Sequence, residues 1–478
     1  MLEGLEISEI LYSKVDHIKF RLDAEYYRKH FLEIDEKIKS IGETNLINIE
    51  AKLDCSAFYP SITEYYDFEG NGVPFLRVNE IKDGLVKLTE STAFLPQSVL
   101  DNNPSTIAIA YPGDLIIAKG GNTLAKVGLI TDHYTKYALS RDIILVRTNR
   151  LKEYTRFFLW LFLHSEYGQA LLWRTASQTG QPHLTLPSIN EINLPKFDLK
   201  FEEIAERLYE SSVLINEKSK LTYSQAENLL LETLGLADFQ PSHEPVNVKK
   251  FSESFGSSGR LDAEYYQVKY DDLEEAIRKN SNCVLVGSIK TDNFRGLQPE
   301  YVENGDLDII NSKHILENTL DYGNFEKTSN AFWESQKRAR VYKGDILTYT
   351  TGANIGRTQV YLIEDKALAS NHVNILRLKE GYNPFYVGFV MNSLIGRMQT
   401  EKFSAGSAQA ELYPKDIDKF IIPFCSNEKQ LEIINMVEES FKLKKQSERL
   451  LEVAKTAVEM AIEQNEAAAM AYIKNETE

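Results

Sequence analysis

The chain has 478 residues, too many for one hydrophobic core, and its 43% hydrophobic content with 25 tyrosines suits two packed domains and excludes wholesale disorder. A formal net charge of −16 excludes a uniformly basic surface, so any contact with nucleic acid has to be made by segregated patches. The longest apolar run, residues 157–163, is far short of the roughly 20 residues of a membrane span, and residues 1–6 have neither the basic region nor the cleavage site of a secretory signal. Three scattered cysteines, Cys55, Cys283 and Cys425, form no Cys-x-x-Cys pair, which predicts a cytoplasmic protein without zinc.

In chain order, Arg21-Leu22-Asp23-Ala24-Glu25-Tyr26-Tyr27 predicts a helix from Ala24 to about Ser40 with Asp23 as its cap. Short β-like runs and turns follow: Gly70-Asn71-Gly72 before residues 73–78, a turn at Lys82-Asp83-Gly84, and Tyr111-Pro112-Gly113-Asp114 leading into Leu115-Ile116-Ile117-Ala118. A helix over residues 154–174, a glycine loop at Gln178-Thr179-Gly180-Gln181 and a strand ending at Pro195 complete this part. Residues 200–236 then read as a long helix, with Ile204, Leu208, Ser211, Ile215, Lys218, Thr222, Gln225 and Leu229 at the four-three spacing of a coiled-coil seam.

After a connection over residues 237–259 the order starts again. Arg260-Leu261-Asp262-Ala263-Glu264-Tyr265-Tyr266 repeats the first heptapeptide letter for letter at an offset of 239. Gly344-Asp345-Ile346-Leu347 matches Gly113-Asp114-Leu115-Ile116; Gly352 and Arg357 match Gly121 and Lys126; Gln409, Leu412, Ile417 and Pro423 match Gln181, Leu184, Ile189 and Pro195. Asn383-Pro384 predicts a capped helix start. The second long helix, residues 426–472, places Ile433, Val437, Ser440, Lys444, Ser447, Leu451, Ala454, Val458 and Ala461 on its seam. Neither seam is apolar enough to stand alone, so the two helices are expected to pack antiparallel, a spacer about 50 Å long for about 35 residues. The expected fold class is α+β, two tandem repeats, each sheet-rich and closed by a long helix of that coiled coil.

Charge is segregated. Acid crowds the helices, as at Glu202, Glu203, Glu206 and Glu210, whereas Lys119, Lys126, Lys136, Arg141, Arg147, Arg150, Lys152 and Arg156 outnumber the acids of the same stretch. Lys337, Arg338, Arg340, Lys343 and Arg357 give the second copy its own basic patch.

The duplicated heptapeptide, the Gly-Asp-hydrophobic strand followed by a Gly-x-x-x-x-Lys/Arg loop, the Gln-x-x-Leu element and the long helix closing each half resemble the specificity subunit of a Type I restriction-modification system, over nearly the whole chain. No single motif is specific; their order, given twice, is. The resemblance implies a first target recognition domain over residues 1–199 and a second over 260–425. Each would read one half of an interrupted, asymmetric double-stranded DNA site. It also implies docking of two modification subunits, which would carry S-adenosylmethionine and the adenine methyltransferase chemistry, with restriction subunits as further partners. The chain itself would have neither cofactor nor catalytic residue. Gly121 to Lys126 and Gly352 to Arg357 share only their ends.

Arg and Lys suit guanine edges and phosphates, Asn and Gln suit adenine. The candidate DNA-binding residues are Arg77, Asn79, Lys119, Asn122, Lys126, Arg141, Gln178 and His183 in the first copy. In the second they are Asn311, Lys313, His314, Asn354, Arg357, Asn371, His372 and Gln409. Two other readings compete. A stand-alone methyltransferase or nuclease could draw on Asn383-Pro384-Phe385-Tyr386, similar to an adenine methyltransferase motif but lacking its second proline, or on Glu364-Asp365-Lys366; no glycine-rich cofactor loop accompanies either. A helical adaptor that does not bind DNA would leave the basic loops without a purpose.

Overall fold

A computed structural model describes residues 7–15, 21–57, 61–82, 84–89, 91–131, 133–152, 154–176, 182–316, 319–352, 354–404 and 410–477. It divides into two compact units, Met1–Ile215 with Gln446–Glu478, and Asn216–Lys445; both divisions fall inside the long helices. No helix of the described residues is long and apolar enough to cross a membrane.

The heptapeptide does not start a long helix. Ala24–Tyr27 is a 3₁₀ turn and the α-helix spans Lys29–Ile41, matched in the second unit by Ala263–Tyr266 and Val268–Asn280. Asp23 does not cap, because both its oxygens accept from the Arg21 guanidinium, a charged pair stronger than a single N–H cap. That pairing holds the Asp23 carboxyl below the usual carboxylate range.

Each unit then builds two larger sheets in the same order, beside a two-stranded one, Glu43–Thr44 with Leu194–Pro195 in the first unit and Asn282–Leu285 with Ile421–Phe424 in the second. In the first unit, Val73–Leu76 runs parallel to Tyr137–Leu139, flanked by Ala93–Leu95 and Ile109–Ala110. In the second, Leu307–Ile310 runs parallel to Ala367–Ala369, flanked by Glu326–Thr328 and Arg340–Val341. The other sheet orders Lys52–Cys55, Ile143–Arg147, Leu115–Ala118 and Val127–Leu129, continued by a small hairpin, Ile81–Lys82 with Leu85–Val86. Its counterpart orders Lys290–Arg295, Val373–Leu378, Ile346–Tyr349 and Thr358–Val360.

Leu115-Ile116-Ile117-Ala118 is continuously apolar because both faces of its strand are covered. Leu115 and Ile117 join the core built on Phe158, Trp160 and Phe201, whereas Ile116 and Ala118 join Leu76, Tyr137 and Leu145 on the other face.

The single helix expected over residues 154–174 is two, Arg156–His164 and Glu166–Thr175, because Thr155 and Ser165 each accept an N–H of the helix that follows and reset the chain. Pro384–Asn392 and Leu394–Ser404 repeat the pair, with Asn383 accepting from Phe385 and Tyr386 as its sequence predicts. In each unit a glutamate of a long helix satisfies the first N–H of the second helix of this pair. Glu459 accepts from Glu166 N at 2.9 Å, and Glu227 from Leu394 N at 2.9 Å.

The long helices span Leu199–Thr233 and Asn427–Glu463 and pack antiparallel within each unit. In the first unit Ser212 pairs with Ser447, each hydroxyl donating to the other's carbonyl at 2.9 and 2.7 Å. In the second unit Ser219 and Ser440 do the same at 2.7 and 2.9 Å. One row of the seam expected on the first helix, Ile204, Ser211, Lys218 and Gln225, is therefore one residue out of register, whereas Leu208 of the other row is buried as expected. Ala205, Ser212, Ser219, Ala226 and Leu230 are buried, whereas Ser211, Lys218 and Gln225 are exposed. Serine and alanine let the backbones approach until a hydroxyl can reach across to a carbonyl, a frame that a search for large apolar residues passes over. The second helix stops before residue 472: it ends at Glu463, and the Asn465 side chain caps a separate helix, Glu466–Thr477.

Glu202, in the first turn of its helix, is buried and accepts from Thr155 N at 3.0 Å. Burial, with Glu206 and Glu466 nearby, pushes its carboxyl from the ordinary 4.5 up to about 7. The folded chain thus binds this proton more tightly than the unfolded chain, so the fold loses stability as pH rises from 4.5 to about 7 and the loss is constant above. Glu202→Gln is expected to flatten that slope and to be more stable than the wild type at pH 8 by about 2–3 kcal/mol, read by urea denaturation across the window.

Candidate nucleic-acid interface

The parallel pair of strands and the strand Leu115–Ala118 send their polar continuations to one end of the first unit. Backbone hydrogen bonds fix it: Ser140 N donates to Leu76 O at 2.9 Å, Lys119 N to Asp142 O at 2.9 Å, and Leu184 N to Lys119 O at 2.8 Å. The loop from Gly121 to Lys126 closes with Ala118 N to Lys126 O at 2.9 Å and Ala125 N to Ala118 O at 3.1 Å. Arg77, Asn79, Lys119, Asn122, Lys126, Arg141 and His183 all lie on segments gathered by these bonds.

The second unit repeats all five. Ser370 N donates to Ile310 O at 3.0 Å, Thr350 N to His372 O at 3.1 Å, Leu412 N to Thr350 O at 3.0 Å, Tyr349 N to Arg357 O at 2.8 Å, and Gly356 N to Tyr349 O at 2.8 Å. These pairs set the two units in register position by position. Arg77 stands where the second unit has Asn311, Asn79 where it has Lys313, Lys119 where it has Thr350, Arg141 where it has Asn371, Asp142 where it has His372, and His183 where it has Glu411. Of the charged candidates among the described residues, only Lys126 and its counterpart Arg357 keep their charge. One backbone thus carries two chemically different ends.

Asn79, Asn122, Lys126, Arg141 and His183 are exposed, and Lys119 is half-buried. Arg77 is half-buried and donates to Glu80 and, at 2.6 Å, to Ser91 O, so part of its fork is spent on its own loop. In the second unit Lys313, Asn354 and His372 are exposed, and Arg357 and Asn371 are half-buried. Asn311 donates to Glu326, which also pairs with Lys313.

His314 is a correction: it is buried at 1% exposure, its Nδ1 accepts from Asn311 N at 2.9 Å, and its ring packs on Phe325, out of reach of a ligand. Its buried counterpart Glu80 accepts from Arg77 N at 2.8 Å, so a carboxylate and an imidazole do one structural job. Burial keeps the His314 imidazole below the usual histidine range. Gln178 and Gln409 lie outside the described residues, as does Gln181.

Sequence reasoning missed part of the second end. Arg295 lies 4.6 Å over the ring of exposed Tyr413 and donates to Leu412 O at 2.9 Å, with Glu411 3.6 Å away. No local signal could have shown this, since the partners are more than a hundred residues apart. Asn383-Pro384-Phe385-Tyr386 offers nothing to a flipped base. Asn383 is a helix cap, and Tyr386 is buried with its hydroxyl donating to Pro423 O at 2.9 Å. Among the described residues no group of three or more His, Cys, Asp or Glu side chains could hold a metal ion.

This geometry defines a class: a duplicated framework presenting two unlike sets of polar loops. The family model for the Type I restriction modification DNA specificity domain matches residues 288–453. The likeness to specificity subunits read from the repeated motifs therefore stands. The Type I restriction enzyme MjaVIII specificity subunit of Methanocaldococcus jannaschii is 26% identical over 163 residues, 33% of this chain and 37% of that relative's length. The chain thus matches little more than a third of this curated relative. Among solved structures, the Type I restriction-modification S subunit from M. genitalium aligns over 88% of this chain and 94% of its own, with 13% identity and a TM-score of 0.41. The HsdS subunit from Thermoanaerobacter tengcongensis aligns over 89% and 97%, with 15% identity and a TM-score of 0.28.

The loop ends are shared for a backbone reason. Gly121 and Gly352 have φ of +68° and +113°, and Ala125 and Gly356 have +66° and +89°, the left-handed region that favours glycine. A Cβ on Gly356 would also lie 2.6 Å from Thr400. Gly356→Ala is expected to lower stability by about 1–3 kcal/mol in urea denaturation, while Gly323→Ala, with open space around it, leaves the midpoint unchanged.

Proposed function

We propose that the chain is the DNA-reading subunit of a Type I restriction-modification complex, in which each unit acts as a target recognition domain for one half of a bipartite, asymmetric site. The observation that carries this reading is the pair of matched ends. Five equivalent backbone bonds hold Arg77, Lys119, Arg141 and His183 in one unit and Asn311, Thr350, Asn371 and Glu411 in the other. A palindrome is read by two copies of one surface; two unlike surfaces on one chain suit a non-palindromic site. The loops offer donors and acceptors of both classes that base edges and phosphates require.

The chain directs chemistry that partner subunits perform. Modification subunits, two per chain, supply S-adenosylmethionine and transfer its methyl group to adenine, and restriction subunits join where the system cleaves. In this reading the chain has no reaction of its own, and Asn383 serves as a helix cap. The complex acts on cellular DNA in the cytoplasm.

Methylated adenines mapped in the host genome, with and without this gene, test the reading. The expected result is a two-part, non-palindromic motif that disappears with the gene and loses one half only when residues 260–425 are exchanged for those of another specificity subunit. Methyl transfer by the purified chain alone, or a contiguous palindromic motif, would overturn it.

Lys126→Ala and Arg357→Ala should each weaken DNA binding by about 1–3 kcal/mol where the side chain contacts a base edge. Where it contacts phosphate, the loss should be uniform across sequences with a shallower salt dependence. Binding isotherms at several salt concentrations, on cognate and random duplexes, separate the two.

A further inference from the structure

Each polar end sets one carboxylate and one imidazole beside the residue that extends its central strand, and the two units place them in opposite order. Around Lys119 the neighbours are Asp142 and His183; around Thr350 they are His372 and Glu411. Glu411 is paired with Thr351 across a bridge, as His183 is with Gly120. The carboxylate at 411 is therefore no part of the shared framework, since the same backbone position carries an imidazole in the first unit.

Side chains from two other segments present this carboxylate. Tyr413 donates its hydroxyl to Oε2, Thr351 donates to Oε1 at 3.4 Å, and Arg295 Nη1 lies 3.6 Å from Oε1. Arg295 is itself fixed by its bond to Leu412 O at 2.9 Å and by the Tyr413 ring 4.6 Å away. The Tyr413 hydroxyl holds the Glu411 carboxyl below the usual carboxylate range, so at neutral pH it is ionised and can only accept. A carboxylate has about four acceptor positions, and one hydroxyl on each oxygen leaves both able to accept again. The side chain keeps 28% of its surface open. Glu326 shows the contrast: it accepts from both Asn311 and Lys313 and so serves its own loop.

An open carboxylate repels phosphates, so on a DNA-facing end it weakens binding to every sequence. It strengthens binding only where a base offers it a donor. In the major groove that donor is an amino group, cytosine N4 or adenine N6, whereas guanine O6 and N7 and thymine O4 turn lone pairs toward it. The same group thus attracts one kind of base edge and repels the others, which is the requirement for discrimination.

We propose that Glu411 reads the exocyclic amino group of one base in the half-site assigned to the second unit, with Arg295, Thr351 and Tyr413 as its positioning residues. The inference rests on the DNA-reading role proposed above and adds to it a residue and the base chemistry that residue selects.

The test uses the full chain with its methyltransferase subunits, and duplexes carrying the motif found by methylation mapping. Amino groups of the second half-site are removed one at a time, with 2-pyrimidinone in place of cytosine and purine in place of adenine. One such duplex is expected to bind the wild-type complex about tenfold or more weakly, and Glu411→Ala to lose about the same factor on the unmodified duplex. For the variant, loss of that amino group should cost nothing further, the non-additivity that marks a direct contact. Tyr413→Phe, which keeps the ring beside Arg295 and removes the hydroxyl, should weaken the same contact and no other. Methylation maps of Glu411→Ala should relax at that one position and keep the first half-site and the spacer, which also excludes misfolding as the cause. An acid that merely borders the DNA gives the opposite sign: Glu411→Ala then tightens binding to cognate and random duplexes alike, and the proposal is overturned. It is equally overturned where every amino deletion costs the variant what it costs the wild type. A wild-type complex that binds no motif-bearing duplex better than a random one overturns the functional reading itself.

Discussion

Everything at the polar-loop end of either unit hangs on backbone hydrogen bonds between chain segments far apart in sequence. Ser140 N to Leu76 O, Lys119 N to Asp142 O and Leu184 N to Lys119 O, with their three counterparts, use only peptide groups. Peptide groups are the same at every residue, so the ladder is indifferent to the side chains it displays. That indifference lets one framework carry Arg77, Lys119 and Arg141 in one place and Asn311, Thr350 and Asn371 in another without a change of fold. The constraint falls instead on backbone conformation, and glycine persists where φ is positive, at Gly121 and Gly352.

Where side chains themselves hold the structure, the two units stay alike. The Arg21–Asp23 and Arg260–Asp262 pairs, each with an aromatic ring under the guanidinium, need those residue types, because a planar fork, a carboxylate and a ring face are all used at once. Buried Glu80 and His314 show the intermediate case: either acceptor satisfies the backbone N–H three residues earlier, so the position tolerates a change of chemistry. Likeness and difference between the units therefore sort by whether a side chain bears structure or faces outward. The exposed Leu22 and Leu261 do not follow that sorting.

The long helices rest on small polar residues. Buried hydroxyls are costly when unpaired, and each serine of the pairs Ser212–Ser447 and Ser219–Ser440 finds a carbonyl and a hydroxyl on the opposite helix. A leucine at any of these positions would force the backbones apart and leave the facing hydroxyl without its partner.

The sequence by itself determined the duplication, the order of elements in each half, the Asn383 cap, the antiparallel helix pair and the likeness to specificity subunits, because exact repeats, helix start signals and four-three spacing are local and survive without coordinates. It also placed most candidate residues on segments next to strand ends, since Gly-Asp-hydrophobic runs mark where strands begin. Tertiary structure decided the rest. One row of the seam of the first long helix moved by one residue because Ser212 and Ser219 read as surface residues until facing backbones come within hydroxyl reach. His314 went inside because its imidazole completes a turn that a glutamate completes in the other unit, an equivalence invisible in the letters. Arg295 met Tyr413, and Asp23 was taken by Arg21 rather than by a helix terminus, because a charged fork goes to the partner that geometry brings closest. Only the folded chain defines that distance.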